Sequence, residues 1–332
     1  MTRPRVEVAI VGLGPMGVQI ARQLLSRPDY AMAAAADTDS QKSGRDLGQL
    51  VGSTDSNVIV SSRLDAQPRA NGVCVLCTSS SLESVSPQIE SLAQRGWRVL
   101  STCEELSEPW SKPELANRLD ALARRHGISI LGTGVNPGYL MDTLPLMLST
   151  CCARIDRVMV RRSVDTNNRR IPLQEKAGVG LDVPSFQRRV QEGSIGHIGL
   201  RQSARLVAAG LGWRLDGWHE AVVPVIAVAD IETGRGRVKE GHTIGLTQSA
   251  VGSDRGRELV RYELQMFAGA MDTDEVFIGG KPNLQSTIVG GLNGDSGTAA
   301  IVVNLVRYLA TAPVGLLTMR DAMPLAGYGG VA

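Results

Sequence analysis

Apolar positions change period repeatedly through the first 135 residues of this chain. Val6 to Val11 is a short apolar run that predicts a strand; it breaks at Gly12, Gly14 and Gly17, while Met16, Ile20 and Leu24 follow at helical spacing. Tyr30 to Ala36 predicts a second strand, Val58 to Ser61 a short third, and Val73 to Thr78 a fourth that runs into the serine cluster Thr78 to Ser81. Leu82, Val85, Ile89 and Leu92 then recur as on a helix, which Gly96 ends. Trp97 to Thr102 is a strand, Glu114 to His126 a helix with Leu115, Leu119 and Leu122 inward, and Ile128 to Leu131 a further strand. Strand and helix in alternation predict an α/β fold with a Rossmann-type parallel sheet.

The rhythm changes after GTGVNPGYLMDTLP. Leu140, Leu144, Met147 and Leu148 continue a helix, but Ile155 to Val164 alternates with period two, as a half-exposed strand does. Ala221 to Ala229, Thr243 to Val251, Glu258 to Phe267 and Glu275 to Ile278 are further strand candidates, with SDRG (Ser253 to Gly256) as a hairpin connection. With helices near 184–192 and 200–211, they predict an α+β domain with a largely antiparallel sheet. A last helical pattern, Thr298 to Leu309, has an apolar face that needs a surface to cover it, and its expected place is the nucleotide domain. The expected division is thus a dinucleotide-binding domain over 1–137 completed by 296–332, and a substrate-binding and oligomerisation domain over 138–295.

Composition narrows the function. With 35 Lys plus Arg dispersed against 33 acids, a net charge of +2 and 4% aromatic residues, the chain offers neither a basic field nor stacking platforms for nucleic acid. No apolar stretch approaches the roughly 20 residues of a membrane helix, and MTRPRVEVAI passes straight into a strand, so a cytoplasmic protein is expected. The five cysteines suit a reducing compartment. Cys74 and Cys77 lie inside the apolar run VCVLC, where residues three apart face opposite sides of a strand, which argues against a metal or redox pair. Cys151 and Cys152 close a helical pattern and read as buried thiols.

The spacing of Gly12, Gly14 and Gly17 is G-x-G-x-x-G between a strand and a helix. Gly12 lets the chain turn, Gly14 lets a pyrophosphate reach bare backbone, and Gly17 lets helix and strand pack closely. Pro15 fits the first helical turn, where its missing N–H has no partner to lose. Asp37 ends the second strand, twenty residues after Gly17, where a carboxylate accepts both ribose hydroxyls and repels a 2′-phosphate. NAD is favoured; Lys42 and Arg45 lie just beyond and leave NADP open. Asp37 as a plain cap or turn residue is the competing reading. Ligands of parallel sheets gather at the carboxyl ends of the strands, so one cleft is expected from Gly12 to Gly17, Asp37, Thr78 to Ser81, Cys103 to Glu105 and Gly132 to Gly138. Within it Gly12, Gly14, Pro15, Met16, Gly17, Asp37, Thr78, Ser79, Ser80, Cys103 and Asn136 are the candidate cofactor contacts.

Two acids, Glu104 and Glu105, follow the Trp97 to Thr102 strand directly. Either one binds a cationic amine or iminium and carries protons, or both are first-turn acids that favour a helix dipole. Asn136 in VNPG either hydrogen-bonds a ligand or marks a helix start with Pro137. Among four dispersed histidines, without metal-ligand spacing, His197 in GSIGHIGL is a substrate-site candidate or an ordinary turn histidine. Arg161, Arg162, Arg169 and Arg170 flank the second domain's first strand; one of them, Arg161 or Arg169 foremost, grips a substrate carboxylate, or all form a charged strand face. No G-x-S-x-G elbow or Walker loop is present.

GLGPMG, DTDSQKSGRDLG, STCEELSEPW, LGTGVNPGYLMDTLP, IGHIGL, ELQMFAGA and NGDSGTAAIVVNLV together span nearly the whole chain. In these segments the sequence resembles the 2,4-diaminopentanoate dehydrogenases and related native amine dehydrogenases, of dihydrodipicolinate-reductase-like architecture. The resemblance implies reversible NAD(P)-dependent oxidative deamination of a small amine or diamino acid, with ammonia as co-product and no metal. It also implies that the acid of STCEE contacts the reacting nitrogen, a role that falls on Glu104 first and Glu105 second. Pro15 stands where the family is expected to carry a small residue, and TGRGRVKEGHTIGLTQ from Thr233 matches less well, so the resemblance speaks least to the substrate. Two other readings stay open: a cyclic imine reductase, separated by ammonia dependence, and a dinucleotide sensor without turnover. The second-domain sheet resembles surfaces that pair between subunits, so a homodimer or larger homo-oligomer is expected.

Overall fold

The computed structural model describes residues 4–322; residues 1–3 and 323–332, the latter part of the expected C-terminal segment, lie outside the described residues. The chain forms two compact units, one holding the described residues up to Tyr139 and those from Asn293 onward, the other Leu140–Leu292.

The first unit begins with β1 (Val6–Val11), α1 (Pro15–Leu25), β2 (Tyr30–Ala36), a short α2 (Leu47–Leu50) and β3 (Val60–Ser61). It continues with β4 (Val73–Leu76), α3 (Leu82–Gln94), β5 (Arg98–Ser101), α4 (Pro113–His126) and β6 (Ser129–Gly132). Late in the chain β15 (Gly315–Leu317) adds an edge, and the sheet runs β15-β6-β5-β4-β1-β2-β3. Every pairing in it is parallel. Strand order reverses between β1 and β4, which is where open α/β sheets bind ligands. β4, β5 and β6 are buried on both faces; β4 is an unbroken apolar run, whereas Arg98 at the start of β5 is buried by donating to Ser129 Oγ and the Ala312 carbonyl. Gly17, Ile20, Ala21 and Leu24 form the buried stripe of α1, and α9 (Gly294–Leu309) packs on this helix, with Tyr30 donating its hydroxyl to the Val303 carbonyl at 2.6 Å.

The second unit holds α5 (Thr143–Ser149), β7 (Arg154–Asp165), α6 (Ile171–Lys176), α7 (Val183–Gln191), α8 (Leu200–Gly210) and β8 (Gly217–Ile226). A small hairpin, β9 (Ile231–Thr233) and β10 (Gly236–Val238), precedes β11 (Thr243–Asp254), β12 (Arg257–Phe267), β13 (Thr273–Lys281) and β14 (Leu284–Val289). Its sheet runs β14-β13-β7-β12-β11-β8. The pairing departs from a purely antiparallel sheet at its centre, where β7 and β12 run parallel. Three helices separate β7 from β8, so the meander β8-β11-β12 returns to β7 in the same direction rather than by a hairpin. α8 lies on β11 and β12, and Tyr262, Leu264 and Ala250 beneath it are fully buried.

Candidate active site

The three glycines of the first turn do different physical work. Gly12 takes a positive φ of 91°, and a Cβ there would sit 2.6 Å from the Cys77 carbonyl oxygen. At Gly17 a Cβ would run into the Gly12 carbonyl oxygen, so this position is fixed by packing. Gly14 has an ordinary negative φ of −66° and a Cβ on it would meet nothing. Neither backbone nor neighbours explain a glycine at position 14; a ligand lying against the backbone does. α1 starts at Pro15 with Gly14 as its cap residue, without a side-chain cap and without an acid in its first turn. Its first-turn amides and positive dipole end are therefore left for an anion. Pro15 is exposed and Met16 half-buried in that turn.

Asp37 is tied to the glycine turn. Its Oδ2 accepts from the Leu13 amide at 2.6 Å and from Lys42 Nζ at 3.2 Å, and its Oδ1 from the Asp39 amide at 2.8 Å. Burial opposes ionisation, but the Asp39 and Leu13 amides and the Lys42 ammonium outweigh it and hold the carboxyl below its ordinary range. Gly12, Gly14, Asp37, Lys42 and Thr78 line one cavity of about 560 Å³, a size typical of small-ligand sites. Open cradle, uncapped helix start and ribose-height carboxylate together fit a dinucleotide. Arg63 and Leu64 after β3, and Gln88 and Ser91 on α3, also line it and are not among the sequence candidates. Gln88 and Ser91 sit one helical turn apart, off the apolar stripe, which is the signal available for them.

The cavity covers the β1, β2, β3 and β4 ends; the loops after β5 and β6 do not line it. Ser79 Oγ accepts from the Ser81 amide, and the Ser80 carbonyl accepts both the Cys103 thiol at 3.1 Å and the Glu105 amide at 3.3 Å. Cys103 is buried, and burial pushes its thiol up to about 12, away from thiolate chemistry. Glu104 and Glu105 open a 3₁₀ turn, Glu104–Ser107. Glu105 is engaged through one oxygen: its Oε2 accepts from the Leu82 amide at 2.7 Å and from Lys112 Nζ at 2.7 Å. The half-buried Glu104 carboxylate makes no hydrogen bond or ion pair among the described residues.

Asn136, half-buried, precedes Pro137 through a cis peptide bond. The start of α9 holds this loop, with the Val135 amide donating to Thr298 Oγ1 at 3.1 Å, while Asn293 caps the helix by accepting from the Asp295 and Ser296 amides. A Cβ at Gly297 would press on Val135, so the NGDSGT segment serves close approach to VNPG.

The remaining candidates belong to the second unit. Arg161 pairs with Glu263 at 3.0 Å and Glu275 at 3.4 Å on neighbouring strands, and Arg169 with Asp272 at 3.0 Å. Arg162 points to the opposite face and is buried against Asp274 at 3.1 Å. The His197 backbone is clamped by the Gln248 side chain, which accepts from its amide at 2.8 Å and donates to its carbonyl at 3.0 Å. No cluster of three His, Cys, Asp or Glu among the described residues is arranged to hold a metal ion, and no described helix is long and apolar enough to cross a membrane.

Residues 139–329 match the family model described as the 2,4-diaminopentanoate dehydrogenase C-terminal domain, and residues 6–102 match that of the dihydrodipicolinate reductase N-terminus. The chain is 29% identical to the 2,4-diaminopentanoate dehydrogenase of Acetoanaerobium sticklandii, over 96% of this chain and 93% of the relative. It is similar in structure to an amine dehydrogenase from Mycobacterium smegmatis, with a TM-score of 0.81, 25% identity and 97% of each chain covered. GenD2 from gentamicin A biosynthesis, solved in complex with NAD, shares the fold at a TM-score of 0.56 and 16% identity, covering 97% of this chain and 91% of that one.

Proposed function

The chain belongs to the 2,4-diaminopentanoate dehydrogenase family, and from that premise we propose an NAD-dependent amine dehydrogenase that converts a primary amine to ketone and ammonia and runs in reverse as reductive amination. The observation that carries this reading is an uncapped glycine turn built for a pyrophosphate in the same unit as a carboxylate, Glu104, left free at the end of a sheet strand. The bound nicotinamide supplies the acceptor for the hydride that leaves the amine-bearing carbon.

This chain's residues do the rest. Gly14 backbone and the start of α1 bind the pyrophosphate, and Asp37 binds the adenosine ribose. Glu104 holds the cationic amine, relays one of its protons to solvent before the hydride leaves, and so faces the resulting iminium as a carboxylate; water then adds to the iminium and ketone and ammonia are released. Placing the reactants supplies much of the acceleration, and proton transfer adds about 10² to 10⁴-fold. A diamino acid such as 2,4-diaminopentanoate is the substrate class, with Asn136 as a further contact.

Diamino acids and simple amines assayed for NADH formation test the reading. NADH appears with a diamino acid, and its reoxidation with the ketone requires ammonia. Reduction of a cyclic imine without ammonia assigns a reductase instead, and tight NADH binding with no amine-dependent absorbance change assigns a sensor.

Three further proposals go with this function: NADP as a weaker second cofactor read by Lys42, a cytoplasmic setting, and a homodimer or larger homo-oligomer. Supporting the last, Val223 and Val289 stand exposed at opposite edges of one register row across the second unit's sheet. Light scattering at micromolar concentration reads the mass, and a monomer contradicts the assembly.

A further inference from the structure

Glu104 and Glu105 are adjacent acids in opposite states, Glu104 without a bonded partner among the described residues and Glu105 bonded through Oε2. The Glu105 carboxylate caps α3 through the Leu82 amide and meets Lys112 Nζ, and the same ammonium reaches Glu83 Oε2 at 2.7 Å. Lys112 also sits at the entry to α4, its amide donating to the Pro109 carbonyl. One cation thus ties the beginning of the acidic turn to the start of α3 and to the start of α4. The backbone repeats the tie, because the Ser80 carbonyl accepts from both Cys103 and Glu105. On the far side a Cβ at Gly132 would lie 2.5 Å from the Leu106 carbonyl carbon, so β6 backs the turn without a gap. Ser107 Oγ closes it by donating to the Glu104 carbonyl at 2.7 Å. The turn is held from three sides, and the one carboxylate left out of the bonding is Glu104.

We propose that Lys112 and Glu105 are positioning residues that fix the backbone carrying Glu104. The proposal rests on the dehydrogenase reading. A helix cap alone accounts for the Leu82 contact but not for a cation bridging two carboxylates from seven residues downstream. Glu105 Oε2 is committed to both Leu82 and Lys112. Holding a reacting group matters because a displacement of about 1 Å lowers rates by up to about 10²-fold.

The test takes Lys112→Met, Lys112→Arg, Glu104→Gln and the double variant Glu104→Gln with Lys112→Met. Steady-state kinetics use 2,4-diaminopentanoate with NAD, calorimetry gives NAD affinity, and amide hydrogen exchange follows Glu105 and Leu106 without ligand. Lys112→Met lowers kcat about tenfold with KM and NAD affinity nearly unchanged, Lys112→Arg restores most of it, and in the Glu104→Gln background Lys112→Met adds no further loss. Exchange at Leu106 speeds up in Lys112→Met and not in Lys112→Arg. An unchanged kcat in Lys112→Met, or the same loss in both backgrounds, overturns the proposal. Failure of the dehydrogenase reading looks different: wild type turns over no amine, and the positioning role then stands if exchange at Leu106 responds to Lys112→Met and falls if it does not.

Discussion

Leu13 and Asp37, 24 residues apart, are joined by a 2.6 Å hydrogen bond from the amide of the glycine turn to the carboxylate at the tip of β2. The carboxylate proposed to read the ribose and the turn proposed to take the pyrophosphate are therefore joined directly. Asp37→Ser removes a ribose acceptor, a charge that repels a 2′-phosphate and the partner of Lys42 together. NAD affinity should fall about tenfold or more, as for hydrogen bonds to charged groups, and the NADP to NAD preference should rise. Calorimetry with both cofactors checks it, and an unchanged ratio returns Asp37 to a purely structural role.

Gly14 and Gly17 belong to one motif yet answer to different constraints, so their variants should fail in different ways. Gly14→Val adds a side chain to open space, and the protein should fold with a Tm close to wild type while NAD binding is lost. Gly17→Ala drives a methyl into the Gly12 carbonyl and should lower stability by about 1 to 3 kcal/mol before binding is considered. Thermal unfolding beside calorimetry separates the two. NAD affinity intact in a folded Gly14→Val variant would place the phosphates elsewhere.

The buried pair Arg162 and Asp274 holds both polar groups of one residue, since Arg162 donates to the Leu292 carbonyl at 2.5 Å and Asp274 accepts from the Leu292 amide at 2.6 Å. Burial disfavours both charges, lowering the guanidinium and raising the carboxyl from their ordinary values despite their mutual attraction. Arg162→Met or Asp274→Leu alone strands a buried charge and should cost about 3 kcal/mol or more. The double variant should lose less than the sum of the two. Urea unfolding of the set checks it, and strict additivity would mean the two side chains act independently.

Much of the nucleotide-binding unit was legible because its signals are local. Gly12, Gly14 and Gly17 lie within one turn and Asp37 ends the next strand, so spacing alone carries their geometry. The centre of the second sheet was not legible, since which neighbour β7 takes depends on where three helices return the chain. β14 is illegible for a different reason: of its apolar residues Leu284 and Ile288 are half-buried and Val289 is exposed, and an edge strand of this kind carries little hydrophobic alternation. The partners of Arg161 and Arg169 are not legible because the acids lie about a hundred residues away, Glu263 and Glu275 on neighbouring strands and Asp272 just before β13. The distinction between Glu104 and Glu105 also lay beyond periodicity. It arises where the Leu82 amide and Lys112 converge, and neither contact follows from the residues beside the acids.

Turnover by Glu104→Gln, with 2,4-diaminopentanoate and NAD, tests the central claim most directly. The substitution keeps size and hydrogen bonding and removes the charge that favours an iminium. kcat should fall by at least about 10²-fold while NAD affinity measured by calorimetry stays near wild type, because Glu104 does not line the cavity of the glycine turn and Asp37. A Glu104→Gln variant that retains wild-type turnover would show that this carboxylate does not carry the amine chemistry.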